Sequence, residues 1–129
     1  MVDFQAIPRP GSTPTDDLVW ADDRDVLIAI TQKPYRREVV EAVEVAKDQG
    51  VRVIGISDSP ASPVIVSADI GFTVAVDTPQ FFPSSVATIA VLETILSFVI
   101  ANASTEVVKR VEKFHDRRHQ LGLYLEDAP

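Results

Sequence analysis

Hydroxyl, amide and cationic side chains follow directly after an apolar run that begins at Asp25 and is typical of a buried strand. These side chains belong to Thr31, Gln32, Lys33 and Arg36. The loop that carries them leads into a predicted helix, and the unpaired N–H groups and positive dipole end of a helix attract phosphate. Pro34 removes one N–H group, so the alternative is an ordinary loop with solvated basic residues. The residues alone leave both interpretations open.

A second polar group ends the next apolar run, at Ser57 and Asp58. A hydroxyl and a carboxylate there could hold sugar hydroxyls, although Ser and Asp are also common turn residues. Glu93 is the other acid of interest, because a carboxylate buried in its nearly all-apolar helix would be a candidate general base. An exposed helix position is the commoner explanation. No catalytic residue is therefore assigned, and Glu93 stays a weak candidate.

Three apolar runs have the composition of parallel strands buried on both faces, namely 25–30, 51–56 and 70–76. A helix predicted at 36–49, with Gly50 in the position of a C-terminal cap, joins the first two runs into a βαβ unit. Since ligands of parallel sheets bind at the carboxyl ends of the strands, Thr31 and Ser57 are expected at the same end of the sheet. An edge strand is predicted at 2–7, and further helices are predicted at 14–21, 85–102 and 104–120.

The length of 129 residues fits one α/β domain, 1–129, in which 103–129 form a C-terminal helix and tail. A net charge of −7 argues against direct nucleic-acid binding, which requires clustered Lys and Arg. The lack of cysteine excludes disulfides and thiolate metal sites, and no metal or cofactor is predicted. No signal peptide is visible, and the most apolar segment, 86–101, is short for a membrane span. A cytoplasmic protein without a membrane partner is expected.

Taken in order, a series of segments resembles the SIS (sugar isomerase) domain over about residues 3 to 102. The segments are Asp25–Thr31, the helix 36–50, Val51–Pro60, Ser67–Asp69 and Pro79–Ser84. The Phe-Phe-Pro-Ser element is similar to the C-terminal effector domain of RpiR-type transcriptional regulators more than to the enzymes. The resemblance implies a three-layer αβα sandwich around a parallel sheet of flavodoxin-like topology. It also implies binding of a sugar phosphate and a homodimer or higher homo-oligomer.

Two departures from the family pattern shape the expectations. The chain begins about where the family's second strand would start, so the first strand and any helix-turn-helix are expected to be missing. A gap in the sheet beside the Asp25 strand should result. The family's phosphate loop is typically Ser-x-Ser-Gly-x-Thr, and here it reads Thr31-Gln32-Lys33-Pro34-Tyr35-Arg36. Thr31 keeps the first hydroxyl, while Lys33 and Arg36 place cations where the later hydroxyls would be.

Together these features predict a non-catalytic, sugar-phosphate-binding module of an RpiR-type transcriptional regulator. The expected ligand contacts are Thr31, Gln32, Lys33, Arg36 and Ser57. Two alternatives stay open. One is an aldose/ketose phosphate isomerase, which would need a general base beside the loop. The other is a degenerate module that binds no ligand and serves only in oligomerisation. In the predicted oligomer both C-terminal helices lie in the interface.

Overall fold

The structure, a computed structural model, describes residues 3–125 and contains two compact units. One unit runs from Phe4 to Val91, and the other begins at Leu92 and includes Asp3. The boundary between them falls inside the helix α4. The elements in chain order are α1 (Pro14–Asp17), β1 (Val26–Ile30), α2 (Arg37–Asp48), β2 (Arg52–Ser57), α3 (Pro63–Ser67), β3 (Ile70–Thr73), α4 (Val86–Ala101) and α5 (Thr105–Gln120).

The three strands form a parallel sheet in the order β1-β2-β3. Leu27 lies opposite Val53, and Ile54 lies opposite Ile70. Adjacent strands run parallel because a helix crosses over between them, α2 between β1 and β2 and α3 between β2 and β3. The predicted α/β class with a parallel sheet is confirmed.

α2 packs against both α1 and α3, and α2 and α3 also pack against the sheet. α2 buries Ala42, Val43 and Ala46, as its apolar spacing predicts. These side chains form the core with Leu18, Ala29, Val51, Val53 and Val64. The helix ends before Gly50, whose φ of 79° is a left-handed conformation that glycine adopts without strain.

The glycine of β2 lies where α3 comes closest to the sheet. A Cβ atom at Gly55 would stand 2.5 Å from the carbonyl oxygen of Val64. Gly71 of β3 is less confined, since a Cβ atom there would first meet the side chain of Ile65, at 3.0 Å. The missing side chain of Gly55 therefore allows the close packing of α3 on β2.

Three predicted elements are corrected. Residues 3–7 form no strand, because no neighbouring strand pairs with them, and Val2 lies outside the described residues. α1 ends at Asp17 rather than at 21, because the next N–H groups form isolated turn bonds such as Leu18 to Thr15. β3 ends at Thr73 rather than at 76, because β2, its only partner among residues 3–125, ends at Ser57.

The second unit contains α5, which Ser104 caps by accepting the N–H of Val107 at 3.4 Å. Val111 and Phe114, two apolar residues of this helix, are exposed. Among the described helices, none alone is long and apolar enough to cross a membrane, and α4 and α5 meet that test of length and composition only as a bent pair.

Candidate functional site

The loop between β1 and α2 is closed by Thr31, the first residue after β1. Its hydroxyl oxygen accepts the N–H of Arg36 at 3.0 Å, and its own N–H donates to the carbonyl oxygen of Ile56 at 3.3 Å. The side chain is almost fully buried, at 5% exposure. Inside the loop, the peptide bond between Lys33 and Pro34 is cis. Thr31 therefore links the two ends of the loop to each other and to β2.

Ser57, the last residue of β2, joins this loop to the neighbouring strand end. Its hydroxyl donates to the carbonyl oxygen of Thr31 at 2.6 Å, and Oδ1 of Asp58, at 3.1 Å, is the alternative acceptor. The Ser57 side chain is fully buried. The structure thus brings Thr31 and Ser57 together at the carboxyl ends of adjacent parallel strands.

The carboxylate of Asp58 contacts the loop. Its Oδ2 accepts the N–H of Lys33 at 3.4 Å, and the Tyr35 hydroxyl donates to the carboxylate as well. Partial desolvation acts to raise the pKa of Asp58, but these hydrogen bonds outweigh it and leave the pKa below its ordinary value. Desolvation, and then the contact with Asp58, raise the pKa of Tyr35. At neutral pH the pair is therefore a neutral phenol and a carboxylate anion.

The other predicted contacts lie on the same loop. Gln32 is half-buried, and its amide donates to the Thr88 hydroxyl at 3.4 Å, which ties the loop to the first turn of α4. Thr88 is itself buried. Lys33 and Arg36 are exposed. The loop thus presents two cations and an amide beside a polar strand end, which suits an anion that also carries hydroxyl groups.

Two polar residues of this site, Tyr35 and Thr88, were not predicted from the sequence, and Asp58 was predicted only as a carboxylate that could hold sugar hydroxyls, outside the set of expected ligand contacts. For Asp58 the available signal was its position directly after β2. A phenol in a loop and a threonine in an apolar helix carried no comparable signal. The fully buried Ser62 hydroxyl acts to lower the pKa of the Tyr35 phenol, although it makes no hydrogen bond of normal geometry among the described residues.

Glu93 lies in the part of α4 that belongs to the second unit. Its side chain is exposed, and its backbone carbonyl accepts the Ser97 hydroxyl at 2.8 Å. An exposed carboxylate is simply solvated on the helix surface. Within residues 3–125, no group of three His, Asp or Glu side chains is placed to hold a metal ion.

Comparison with solved structures gives a neighbour with the same architecture. The chain is similar to the sugar isomerase domain of an RpiR transcription factor from Sphaerobacter thermophilus, with 29% sequence identity and a TM-score of 0.73. The match covers 83% of this chain and 59% of the neighbour's chain. The match therefore spans little more than half the length of that neighbour's chain.

A second crystal structure shares the fold at lower similarity. It is a Listeria monocytogenes protein described as a "putative sugar-phosphate isomerase", with 22% identity and a TM-score of 0.53, and the match covers 75% of this chain and 58% of the other. A search of curated protein sequences gives no significant match. The family model of the SIS domain matches residues 4–100, which is most of the chain. The chain belongs to the SIS domain family.

Proposed function

We propose that this SIS domain binds a phosphorylated sugar between the β1–α2 loop and the end of β2. The sugar isomerase domain of the RpiR neighbour supports this class of ligand. The observation that carries the proposal is the pair of exposed cations, Lys33 and Arg36, on a loop whose backbone is held at the carboxyl end of the sheet. Cations fixed in this way recognise phosphate through charge-assisted hydrogen bonds.

In the proposed complex the phosphate contacts the side chains of Gln32, Lys33 and Arg36. The N–H of Lys33 already donates to Asp58, so side-chain donors rather than this amide hold the anion. The Asp58 carboxylate repels the phosphate and accepts hydrogen bonds from sugar hydroxyls. The ligand is therefore oriented with its phosphate over the loop and its sugar ring towards the end of β2.

Thr31 and Ser57, the two buried members of the predicted contact set, support this arrangement from within the fold. Ser57 holds the Thr31 carbonyl, and Thr31 holds the Arg36 N–H. The position of the Arg36 backbone therefore depends on both hydroxyls. In the proposed complex these residues position the cationic loop.

We infer further that the domain is a non-catalytic effector module of an RpiR-type regulator in the cytoplasm. Ligand binding would bias the geometry of a homodimer or higher homo-oligomer. Exposed apolar side chains on α4 and α5 support an interface at these helices, and they include Ile89, Leu96, Phe98, Val111 and Phe114. The net charge of −7 disfavours direct contact of this chain with nucleic acid.

A phosphosugar isomerase is the second candidate, and Asp58 is the observation that favours it. Isomerisation moves a proton between adjacent carbons, which requires a base beside the substrate. Asp58 lies at the proposed site, but its lowered pKa makes it a weak base at neutral pH. Its carboxylate is also engaged by Tyr35 and by the Lys33 N–H. We therefore favour binding without catalysis.

The test is a thermal-shift titration with a panel of hexose and amino-sugar phosphates, with inorganic phosphate as the reference ligand. A ligand that binds only the folded state stabilises it by about 2.7 kcal/mol at a hundredfold excess over its Kd. The variants K33A and R36A should each weaken binding about tenfold, because each loses a charged contact. The matched control is R52A, which removes an exposed cation at the opposite end of β2.

The outcomes separate the three candidate functions. A saturable shift that K33A and R36A weaken and R52A preserves supports the proposed site. A panel without any shift assigns the chain to a module that binds no ligand and serves in oligomerisation. Conversion of aldose to ketose phosphate that D58N abolishes would instead establish the isomerase.

A further inference from the structure

Asp58 brings a negative charge to a loop that otherwise presents cations. Its Oδ2 accepts the N–H of Lys33 at 3.4 Å, so the carboxylate lies against the backbone of the loop that carries Lys33 and Arg36. Both cationic residues are exposed, whereas Asp58 is half-buried. The proposed ligand site therefore combines charges of both signs, two of them on the loop and one at the end of β2.

The groups that donate hydrogen bonds to the Asp58 carboxylate are all neutral. They are the N–H of Lys33, the N–H of Asp58 itself, the Tyr35 hydroxyl, and the Ser57 hydroxyl, for which Oδ1 is the alternative acceptor. Among residues 3–125, no Lys, Arg or His side chain forms an ion pair with Asp58. These neutral donors hold the carboxylate in place without cancelling its charge.

The Asp58 carboxylate also keeps acceptor capacity for a ligand. An ionised carboxylate offers about four lone-pair positions to hydrogen-bond donors. The hydroxyl of Ser57 has a single proton, and its shorter bond, at 2.6 Å, goes to the carbonyl oxygen of Thr31. Oδ1 of Asp58 is the longer alternative, at 3.1 Å. A donor on the ligand can therefore bind Oδ1 without breaking the bond between Ser57 and Thr31.

The surroundings of Asp58 favour a cationic donor over a neutral one. Burial removes water from the carboxylate, yet its hydrogen bonds keep its pKa below the ordinary value, so the group stays ionised at neutral pH. Hydrogen bonds between two charged groups are stronger than those to a neutral hydroxyl, and partial desolvation of the anion reduces the screening between them. An ammonium group supplies this charge together with three N–H donors.

We propose that Asp58 makes the site selective for sugar phosphates that carry a free amine, bound as ammonium, over those with a hydroxyl or acetamido group at the same carbon. The inference rests on the proposed phosphosugar site. In the complex the ammonium group donates to Asp58 while the phosphate contacts Lys33 and Arg36. The ammonium charge also offsets the repulsion between the carboxylate and the phosphate of the same ligand. Asp58 therefore determines which class of phosphosugar binds.

The test compares matched pairs of ligands by isothermal titration calorimetry with the full chain. The pairs are the 6-phosphates of glucose and glucosamine, of galactose and galactosamine, and of mannose and mannosamine, which differ only in a hydroxyl or an amine at one carbon. At about pH 6.5 an amine with a pKa like that of an α-amino group, about 7.7–8.0, is mostly protonated. In at least one pair the amine should bind about tenfold more tightly. N-acetylglucosamine 6-phosphate should bind no more tightly than glucose 6-phosphate.

Three variants assign the preference to the charge of Asp58. In D58N the ratio of the two affinities within a pair should fall from about ten to about one, because the amide keeps the shape but not the charge. Y35F removes a donor to the carboxylate but leaves its charge, so the ratio should persist. D77N changes an exposed carboxylate elsewhere in the same unit and should also preserve the ratio.

The outcomes separate this inference from the phosphosugar site on which it rests. Binding of sugar phosphates with equal affinity within every pair would overturn the selectivity and leave the phosphosugar site standing. Equal affinity for the amine and its N-acetylated form would mean that charge is not recognised. A preference that D58N retains would remove Asp58 from this role. If none of the sugar phosphates binds, the proposed site and its selectivity are both wrong.

Discussion

The hydroxyl of Ser57 donates to the backbone carbonyl of Thr31 at 2.6 Å, and both side chains are buried. This bond links the carboxyl ends of β1 and β2, the two strands whose ends form the candidate site. Thr31 in turn holds the backbone of Arg36, because its hydroxyl oxygen accepts the N–H of Arg36. The buried Ser57 hydroxyl is therefore linked through Thr31 to the backbone of Arg36, which lies at the start of α2 and is a proposed phosphate contact.

The first prediction is that Ser57→Ala both destabilises the fold and weakens ligand binding. The substitution leaves the Thr31 carbonyl without this donor, at a cost of about 2 kcal/mol in the free energy of unfolding. Urea denaturation measures this loss. The control is Ser67→Ala, because the half-buried Ser67 side chain makes no hydrogen bond within residues 3–125. If Ser57→Ala and Ser67→Ala reduce the free energy of unfolding equally, the hydrogen bond from Ser57 to Thr31 does not stabilise the fold.

The second prediction concerns the pH dependence of stability through Asp58. Its folded-state pKa lies below the ordinary value of 3.8, so the ionised carboxylate stabilises the fold above that value. The contribution is lost as the pH falls through the lower, folded-state pKa. The difference in unfolding free energy between the wild type and Asp58→Asn should therefore be constant near neutral pH and shrink on acidification.

Urea denaturation from about pH 7 to about pH 3 measures this difference. Asp77→Asn, which changes an exposed carboxylate elsewhere in the same unit, is the control and should show no comparable trend. A difference for Asp58→Asn that persists unchanged into acid would mean that the hydrogen bonds to the carboxylate do not favour its charged form.

Much of the central fold was predictable because its signals are local. The apolar run after Asp25, the helical spacing of Val43 and Ala46, and Gly50 at the helix end each act within a few residues. The ends of elements were less predictable, because they depend on a partner. Residues 3–7 alternate as a strand does, yet an alternating segment forms a strand only when a neighbour supplies hydrogen bonds.

For the candidate site, sequence reasoning identified the loop and the end of β2 but not the contacts between them. Adjacent parallel strands end together, so the proximity of Thr31 and Ser57 follows from topology alone. The hydrogen bond from Gln32 to Thr88 joins residues 56 positions apart. The contact of Tyr35 with Asp58 depends on the path of the whole loop. Such side-chain pairings leave no periodic pattern in the sequence.

The third prediction compares two glycines under α3. Gly55→Ala should reduce the free energy of unfolding by about 1–3 kcal/mol, because its Cβ would meet the backbone carbonyl of Val64 and α3 would have to move. Gly71→Ala should cost less, since its first contact is a methyl group of Ile65 that can shift. Thermal denaturation of both variants provides the measurement. A larger loss for Gly71→Ala would contradict the assignment of the closest contact to Gly55.

The fourth prediction concerns Gln49, which links the end of α2 to the segment after α1. Its Nε2 donates to the carbonyl oxygens of Leu18 and Ala21, both at 2.7 Å. Gln49→Glu keeps the shape but replaces the donor with a carboxylate that faces two carbonyl oxygens. The free energy of unfolding should fall by about 2 kcal/mol at neutral pH, while Gln80→Glu, at an exposed loop position, should be nearly neutral.

Acidification distinguishes lost hydrogen bonding from lost packing at this position. The carboxyl group of Gln49→Glu would face carbonyl oxygens, so its folded-state pKa would be raised and the protonated form favoured. As the pH falls through this raised pKa the group becomes protonated in the folded state and can donate one hydrogen bond, so part of the stability should return, and the recovery should be complete below the unfolded-state pKa. Gln49→Ala offers no donor at any pH and should show no such recovery. If both variants respond to pH alike, the amide of Gln49 contributes through packing, and its bonds to Leu18 and Ala21 are not the link between α2 and the α1 segment.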